Sequence, residues 1–514
     1  MEKTTERTNP TAVFMAFGTK GDVYPIAAVA VAFACNQKQY SVVLITHAAH
    51  ENLSTHLVQK NVAYFPISSP PVLSPQEGCD AAGSLEFSVK KRTILTEHRR
   101  ECFSIIEQIF RHGLSVEGDF IAINFFALEG WSLAELFCVR CIIAAPYVVP
   151  YSAPSSFERC FKRKLPRLYE YFQEAPVNKV CWKDVIHWMW PLFTEDWGSW
   201  RSVDLNLSPC PFTDPVTGLP AWHDRSPSPL LLYGFSKEVV ECPDYWPPNI
   251  RVCGFWFLPI EWQFSCRKCG EIAALTSSRK LNTKDDMCSS HARLHSFLRS
   301  TVPMPPIFIG LSSIGSMGFL KNPLAFLRVL QTVLEITSYR FILFSSGYEP
   351  LHAAIHVVAA ETSVSIQCGE DEMSLFGGRL FSFSGTIPYN WLFPRCLAAI
   401  HHGGSGSTAA ALHAGIPQII CPFMLDQFYW AERMFWLGVA PEPLKRDHLL
   451  PDKMDEKSIS EAAYLLSKAI NYALSPDVKG RASEMAEIIS LEDGIEEAVN
   501  ILKEEVCRSS SDSR

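Results

Sequence analysis

The chain has 514 residues, of which 47% are hydrophobic and 19% are charged, so it is long enough to form two or more domains with complete cores. Its formal net charge of -8 leaves no overall basic surface, which argues against binding nucleic acid through general electrostatics. The 17 cysteines are an odd number spread along the chain, which favours reduced thiols over a disulfide scaffold.

The apolar segments predict neither an export signal nor a membrane helix. The first residues, MEKTTERTNP, carry charge where a signal peptide would be apolar. The longest apolar runs, such as PIAAVAVAFA and CIIAAPYVVP, are well short of the roughly 20 residues that a membrane helix needs. We therefore expect a cytoplasmic protein without a transmembrane anchor.

Strand-like and helix-like segments alternate from the amino terminus onward. TAVFMAF predicts a buried strand, GTKGDVYP a turn, IAAVAVAFACNQ a helix and YSVVLITH a second strand, which is an opening typical of parallel sheets. Further strands are predicted over DFIAINFF, CIIAAPYV, PIFIGLSS, RFILFSS and LAAIHHGG. Further helices are predicted over SLAELFCV, PLAFLRVLQTVLEIT, SGSTAAALHAG and FYWAERMFWLG. The pattern predicts two α/β domains.

An irregular segment separates the two predicted domains. Residues 246–303 are rich in proline, serine, cysteine and charge and predict a linker. They divide an amino-terminal domain, 1–245, from a carboxy-terminal domain, 304–480. The remaining 481–514 predict amphipathic helix and a frayed tail.

The stretch HHGGSGSTAAALHAG, which begins at His401, joins a predicted strand to a predicted helix through a glycine-rich turn. A helix beginning near Ser407 would place free amides and the positive end of its dipole at the carboxyl edge of the sheet, where phosphate binds. The residues suited to such an anion are glycines that allow close approach and side chains that donate: His402, Gly403, Gly404, Ser405, Gly406, Ser407 and Thr408. The alternative is an ordinary tight turn. Asp426 and Gln427, after the next predicted strand, favour a ligand because such side chains bind polyols.

Together these stretches resemble the UDP-sugar-dependent glycosyltransferases with two Rossmann-like domains. The likeness is nearest to the branch that contains sterol 3-beta-glucosyltransferases and bacterial glycopeptide-antibiotic enzymes. GTKGDVYP, LYGFSKEVVECPDYWPPNIRVCGFWFL, PPIFIGLSSIGSM and IPYNWLFPRCLAAIHHGG resemble motifs of that branch in the expected order. The resemblance implies two α/β domains with parallel sheets facing across a cleft (the GT-B fold), and a carboxy-terminal helix that packs back toward the amino-terminal domain.

The same resemblance implies the contacts of a UDP-sugar donor. His402 and the turn amides would contact the diphosphate, with Gly21 and Ser313 approaching from other loops. Asp426 and Gln427 would bind the sugar hydroxyls.

Two departures from the family pattern change the expected nucleoside contacts. Many relatives stack a tryptophan on uracil, but the matching stretch here is Thr386, Ile387 and Pro388, so we expect backbone contacts at Ile387. The glutamate that holds ribose in many relatives is replaced by Ala410, so the ribose contacts stay unassigned.

Transfer of a sugar to a hydroxyl requires a general base. Asp22 matches the position where this branch carries an aspartate and the plant small-molecule relatives carry a catalytic histidine. The alternative is that Asp22 caps a helix that starts near Val23, or does both. Asn124 stands where those relatives orient the histidine with an aspartate, so no His-Asp relay is expected. Glu129 is a second candidate carboxylate, or equally a helix cap.

The acceptor is less clearly indicated. Aromatic residues are dense from Lys164 to Trp200, which suits an apolar cleft for a sterol or other lipid and equally suits core packing. Basic runs at Val89 to Arg100 and Arg159 to Arg167 would fit an anionic membrane surface, or simply solvated faces.

Four residues of the linker have the spacing of a zinc site. Cys266 and Cys269 form C-x2-C, and Cys288 and His291 form C-x2-H after an intervening loop. A structural zinc would staple the insertion, although the fold requires no metal and the chain is generally rich in cysteine.

The sequence thus predicts a UDP-glycosyltransferase that inverts the anomeric carbon, uses UDP-glucose as co-substrate and acts on a lipophilic hydroxyl such as that of a sterol. The alternatives are a soluble phenolic or terpenoid acceptor, or a nucleotide-sugar-binding protein without turnover. No required cofactor, nucleic acid or obligate protein partner is indicated, and peripheral membrane contact remains open.

Overall fold

The structure is a computed structural model that describes residues 7–73, 81–110, 116–149, 153–176, 179–221, 229–244, 246–277, 287–300, 304–311, 314–315, 317–345, 348–361, 366–367 and 372–512. Its strands are β1 Thr11–Met15, β2 Ser41–His47, β3 Val62–Ile67, β4 Phe120–Ile123, β5 Arg140–Ala145, β6 Leu231–Tyr233, β7 Ile250–Val252, β8 Ile307–Gly310, β9 Phe341–Phe344, β10 Ile366–Gln367, β11 Glu372–Leu375, β12 Leu380–Phe383, β13 Ala399–His401 and β14 Gln418–Ile420.

Helices precede or follow most strands, as parallel pairing requires. They are α1 Lys20–Asn36, α2 Ser54–Gln59, α3 Ala81–Phe110, α4 Glu129–Leu136, α5 Phe157–Lys164, α6 Pro166–Glu174, α7 Trp182–Asp184, α8 Glu195–Val203, α9 Arg267–Ser277, α10 Ala292–Arg299, α11 Pro323–Ile336, α12 Glu349–Glu361, α13 Tyr389–Leu392, α14 Ser405–Ala414, α15 Gln427–Trp436, α16 Glu456–Ala473, α17 Pro476–Ile489 and α18 Gly494–Asp512.

The chain divides into two compact units. Unit 1 comprises Met1–Pro71, Ser88–Phe257 and Asp493–Arg514, and unit 2 comprises Val72–Phe87 and Leu258–Glu492. The predicted linker is therefore not a segment of its own, because its first residues belong to unit 1 and the remainder belongs to unit 2. The return of the chain to unit 1 begins at Asp493, later than the predicted start at 481, since α17 still packs on α14 within unit 2.

Unit 1 contains a seven-stranded parallel sheet in the order β3-β2-β1-β4-β5-β6-β7. The interior strand β1 is buried along its whole length, as a strand covered by helices on both faces must be. The carboxy-terminal helix α18 packs on α1 in this unit. Residues at the carboxyl ends of β1 and β4 are neighbours, because Met15 is paired with Ile123.

Unit 2 contains a second seven-stranded sheet in the order β10-β11-β12-β9-β8-β13-β14. Its strands are parallel except at one edge, where β11 pairs antiparallel with both β10 and β12. One hydrophobic cluster, formed by α11, α12 and α16, covers one face, and a second cluster includes Cys269, Cys288, Phe383 and Ile387. The two predicted parallel-sheet domains are thus present.

The opening turn is where the structure differs most from the predicted elements. GTKGDVYP was expected to be a turn before a helix near Val23, but α1 already begins at Lys20 with Thr19 as its N-cap. Asp22 lies in the first turn and reaches back to Thr19, which forms a capping box and starts the helix early.

Candidate functional site

The predicted anion turn lies in unit 2 at the carboxyl end of β13, which pairs with β8 on one side and β14 on the other. Gly404 is the N-cap of α14, and the first amide to find a helical partner is that of Thr408, which donates to the Gly404 carbonyl oxygen over 3.0 Å. The amides from Gly404 to Ser407 therefore point out of the helix start, where the dipole favours an anion. The helix begins at Ser405, two residues before the predicted start.

Glycine is required at one position of this turn, Gly403, and at Gly404 a side chain would displace the ring of His402. Gly403 has φ +87, and a Cβ there would lie 2.9 Å from Ile420 Cγ2 and 3.0 Å from the Gln427 carbonyl oxygen. A Cβ on Gly404 would lie 2.6 Å from His402 Nε2. The imidazole of His402 thus lies directly over the first peptide of the turn.

The two histidines of the motif occupy different environments. His401 is fully buried, with Nε2 2.9 Å from Gln418 Oε1 and Nδ1 accepting from the Gly403 amide over 3.0 Å. His402 is only half-buried, and desolvation lowers its pKa to about 4. His401 therefore shapes the turn, whereas His402 is a neutral hydrogen-bonding group beside the amides at physiological pH.

The predicted sugar-binding pair lies at the start of α15. Gln427 is buried, and its Oε1 accepts from the amides of Phe423 over 2.9 Å and Met424 over 3.2 Å. Asp426 Oδ2 accepts from Trp430 Nε1 over 2.9 Å. Both side chains therefore hold this loop, and their contact with a sugar stays a prediction.

The predicted uracil loop follows β12. Ile387 is 3% exposed, but within the described residues its N–H and C=O make no hydrogen bond to the protein. Thr386, next to it, is held by Ser265, whose backbone amide donates to the Thr386 carbonyl oxygen over 3.0 Å. The edge of a pyrimidine base needs one donor and one acceptor, so the backbone of Ile387 stays the predicted uracil contact.

Two other residues, Ser313 and Thr408, were also predicted to contact the donor. Ser313 lies outside the described residues. Thr408 is fully buried, and its hydroxyl makes no hydrogen bond within the described part of the chain, so a ligand cannot reach it at the turn as it stands.

Asp22 lies in unit 1, in the first turn of α1. Its Oδ2 accepts from the Thr19 amide over 2.7 Å and from the Thr19 hydroxyl over 2.8 Å. Desolvation raises the pKa of this half-buried carboxyl to about 6, although the hydrogen bonds from Thr19 act in the opposite direction. Asp22 is thus part of the capping box and also has a pKa suited to a general base at neutral pH. Gly21, beside it, has open space around its Cα apart from the Thr19 hydroxyl.

Asn124 holds the loop that carries Asp22. Its Nδ2 donates to the carbonyl oxygens of Phe17 over 2.8 Å and Asp22 over 3.2 Å. Its Oδ1 accepts from the amides of Phe17 and Phe126, each over 3.2 Å. A residue that donates and accepts at once fits this position, and an amide does both.

Glu129 begins α4 and is 2% exposed. Its Oε1 lies 3.7 Å from His98 Nε2 and 3.8 Å from Arg99 Nε. A buried carboxylate requires such compensation, and this pairing favours a structural role for Glu129.

A buried histidine group beneath the Asp22 loop was not foreseen from the sequence. The Ser69 hydroxyl bridges His47 Nδ1, at 3.2 Å, and His98 Nδ1, at 2.7 Å. His50 Nε2 lies 3.0 Å from the Gly18 carbonyl oxygen. Burial lowers the pKa of His47 to about 4 and also lowers that of His50. His47 and His50 are therefore neutral at physiological pH. Ser69 and His98 join them from distant parts of the chain, so local spacing could not have indicated the whole group.

Of the nine aromatic residues between Lys164 and Trp200, four are buried in the core and five are partly exposed. Trp188 is 1% exposed and packs on Trp131 with ring centroids 5.6 Å apart, and Phe172 is likewise 1% exposed. One exposed aromatic ring lies outside this region: Phe126, just after β4, is 45% exposed.

The basic side chains Lys162, Arg163 and Lys164 of α5 are exposed. Among the described helices, none combines the length and apolar character needed to cross a membrane.

The four predicted metal ligands come together in unit 2. The ligand atoms of Cys266, Cys269, Cys288 and His291 all lie within 4.8 Å of one another. The spacing seen in the sequence thus corresponds to a cluster in space, even though the linker around it contains a helix, α9, that its composition did not indicate.

Comparison with known proteins shows which proteins the chain resembles. A family model described as "Erythromycin biosynthesis protein CIII-like, C-terminal domain" matches residues 377–473, which include the anion turn and Asp426. Two sterol 3-beta-glucosyltransferases of Arabidopsis thaliana are each 25% identical to this chain over 94% and 95% of its length. The predicted family resemblance is confirmed. The chain spans about two thirds of the length of these relatives, 66% and 64%.

The fold of the chain is also that of solved glycosyltransferases. CalG4, the calicheamicin glycosyltransferase, superposes with a TM-score of 0.54 and 14% sequence identity over 98% of this chain and 99% of its own. This likeness confirms the predicted two-domain glycosyltransferase fold.

Proposed function

We propose that this chain transfers a sugar, with UDP-glucose as the first donor to test, to the hydroxyl of a lipophilic acceptor, with sterols as the first acceptors to test. The observation that carries the proposal is the set of outward-pointing amides at the start of α14, with His402 over them, in a chain that resembles sterol 3-beta-glucosyltransferases along almost its whole length.

The residues that we propose bind the UDP-sugar donor lie in unit 2. The amides from Gly404 to Ser407 would hydrogen-bond the diphosphate, and His402, neutral because of its lowered pKa, would donate one more hydrogen bond rather than a charge. Such donors stabilise the negative charge that grows on UDP as its bond to the anomeric carbon breaks. Ile387 would pair with the uracil through its backbone, and Asp426 and Gln427 would hold sugar hydroxyls.

The residues that we propose act on the acceptor, Asp22 and Phe126, lie in unit 1. The Asp22 carboxylate would take the proton of the acceptor hydroxyl while that oxygen bonds to the anomeric carbon, and UDP would leave with the electron pair of the broken bond. Attack from the side opposite UDP inverts the anomeric carbon. The exposed ring of Phe126 supports a lipophilic acceptor, because it follows β4 at the same sheet edge as the Asp22 loop and is tied to that loop through Asn124.

The reaction as proposed consumes no cofactor. A metal at the cysteine cluster would act on the fold of unit 2 rather than on the reacting atoms. The exposed basic residues of α5 are suited to peripheral contact with an anionic membrane that carries the acceptor, which is part of the same proposal.

The test is UDP release from UDP-glucose by the purified chain with sterols, phenolics and terpenoids offered in parallel. Asp22→Asn keeps an oxygen for the Thr19 hydrogen bonds but cannot accept a proton, so it separates the base from the cap. His402→Ala removes the proposed donor contact, and His413→Ala, an exposed histidine on the same helix, is its matched control. We expect sterol-dependent release that falls at least about 100-fold in Asp22→Asn and is retained in His413→Ala.

The other outcomes distinguish the alternatives. Release only with phenolics or terpenoids would replace the sterol by a soluble acceptor. Binding of UDP-glucose without release for any acceptor would favour a binding protein. Full activity in Asp22→Asn would leave Asp22 as a cap alone.

A further inference from the structure

The cysteine and histidine cluster has the dimensions of a tetrahedral metal site. Cys288 Sγ lies 3.7 Å from Cys266 Sγ, 3.5 Å from Cys269 Sγ and 3.3 Å from His291 Nδ1, and Cys269 Sγ lies 3.5 Å from His291 Nδ1. In a tetrahedral zinc site with Zn–S bonds of about 2.3 Å and Zn–N bonds of about 2.1 Å, neighbouring sulfurs lie about 3.8 Å apart and sulfur lies about 3.6 Å from nitrogen.

The alternatives fit these distances less well. A disulfide would bring two sulfurs to about 2.05 Å, and all three cysteines are free. Hydrogen bonds between thiols would join pairs, but they give no reason for three sulfurs and one imidazole nitrogen to converge on a common centre. Three thiolates and one imidazole form a donor set that zinc binds in closed structural sites.

The cluster is joined directly to the predicted uracil loop. Ser265 precedes the first ligand, Cys266, and it pairs with Thr386 in both directions: its amide donates to the Thr386 carbonyl oxygen over 3.0 Å, and its hydroxyl oxygen accepts from the Thr386 amide over 2.9 Å. The pair thus holds the residue directly before Ile387 in the predicted uracil loop.

Side-chain packing makes the same connection on the other side of the cluster. The ring of His291 packs edge-on against Phe383, with centroids 5.8 Å apart, at the end of the strand that leads into the loop. Cys269, Cys288, Phe383 and Ile387 belong to one buried hydrophobic cluster. The ligands and the loop therefore share one packed body, so a change in the ligand geometry is transmitted to the loop.

We propose that Cys266, Cys269, Cys288 and His291 bind one structural zinc ion, and that this ion fixes the loop of Thr386 and Ile387 for binding the nucleobase of the donor. The second half of this inference rests on the proposed function, but the first half does not. The ion closes the 18 residues between Cys269 and Cys288 into a loop, which restrains the insertion, and it takes no part in the chemical step.

The first experiment measures metal by mass spectrometry in the full-length chain purified without chelator and after incubation with zinc. We expect one zinc per chain. Cys269→Ser and Cys288→Ser should each lose it, whereas Cys396→Ser, a buried cysteine of the same hydrophobic cluster outside the ligand set, should retain it. Cobalt in place of zinc should give the absorption of a tetrahedral thiolate complex, which reports binding even where a variant unfolds more easily.

The second experiment measures UDP affinity by calorimetry. Ser265→Ala should keep the zinc but weaken UDP binding about threefold to tenfold, because it removes both contacts that the Ser265 hydroxyl makes with Thr386. Removing zinc with a chelator should weaken UDP binding at least as much, and adding zinc back should restore it.

Each failure has a distinct meaning. No zinc before or after incubation, or equal zinc in Cys288→Ser, overturns the metal site. Stoichiometric zinc with UDP affinity unchanged by chelation and by Ser265→Ala overturns the link to the loop. Stoichiometric zinc in a chain that binds no UDP at all overturns the proposed function and leaves the metal site standing.

Discussion

The raised pKa of Asp22 leads to a pH dependence that an ordinary aspartate would not produce. If Asp22 is the base, kcat/KM requires its ionised form, and a pKa of about 6 leaves about 90% of the carboxyl ionised at pH 7 but only about 10% at pH 5. The rate should therefore fall roughly ninefold to tenfold between these values. With an ordinary pKa of 3.8, more than about 90% would stay ionised at pH 5 and the rate would barely change.

Thr19 supplies the matched perturbation. Its hydroxyl donates to Asp22 over 2.8 Å and lowers the pKa against the effect of burial. Thr19→Val keeps the volume and the backbone hydrogen bond but removes the hydroxyl. The inflection of the pH profile should consequently move to higher pH, while activity at pH 8 stays close to that of the wild type.

The assay is initial UDP release at limiting UDP-glucose between pH 4.5 and pH 8.5, with circular dichroism at each pH to verify folding. Titration of His402 should not contribute an inflection to the pH profile, because its pKa of about 4 lies below this pH range. A wild-type profile that is flat down to pH 5, or an inflection that does not move in Thr19→Val, would refute Asp22 as the titrating base.

The remaining predictions concern the turn, the loop clamp, the acceptor and the membrane. Gly403→Ala should abolish UDP binding measured by calorimetry, because the backbone there has φ +87 and the added Cβ would clash with backbone and side-chain atoms. The control Gly480→Ala should bind UDP normally, because its Cβ would meet nothing within 4 Å. Normal UDP binding by both variants would contradict the close approach at Gly403. Asn124→Ala should lower the free energy of unfolding by about 1–3 kcal/mol, because it removes the hydrogen bonds that hold the Asp22 loop. Asn124→Asp should lower it further, because it also buries an uncompensated charge. Denaturation midpoints equal to that of the wild type would show that Asn124 does not hold the loop. Phe126→Ala should raise KM for the sterol several-fold without changing KM for UDP-glucose, and an unchanged sterol KM would remove Phe126 from the acceptor site. Replacing the basic residues of Arg159–Arg167 with glutamine should reduce sedimentation with anionic vesicles, and equal sedimentation would show that the run is only solvated.

The sequence predicted the parts of this protein that depend on neighbouring residues. The strand, glycine turn and helix from 399 to 414 follow from a short apolar run, residues that tolerate close approach, and a helix-forming stretch, and the structure contains all three. The alternation of such elements predicted two parallel-sheet domains, and the comparisons confirm that fold. Local spacing also selected the four cysteine and histidine residues that meet in space.

Several elements were missed because their sequences carry little periodic signal. The short strands β6 and β7 are held in place by their neighbours in the sheet rather than by their own propensity. The helix α9 lies in a segment whose cysteines and charges looked irregular. The early start of α1 depended on one side chain, since Asp22 closes a capping box that converts an apparent turn into helix.

By itself the sequence determined the alternation of strands and helices in both domains and the glycine turn at 401–408, because each is encoded within a few consecutive residues. The family resemblance selected Asp22 as the candidate base. Only the tertiary structure decided the pKa values of the site residues and which distant residues they contact. Burial raised the pKa of Asp22 and lowered that of His402, and the packing of unit 2 placed Ser265 against Thr386 across 121 residues of chain. Desolvation and contacts between distant segments depend on where the folded chain excludes water, which no local pattern specifies.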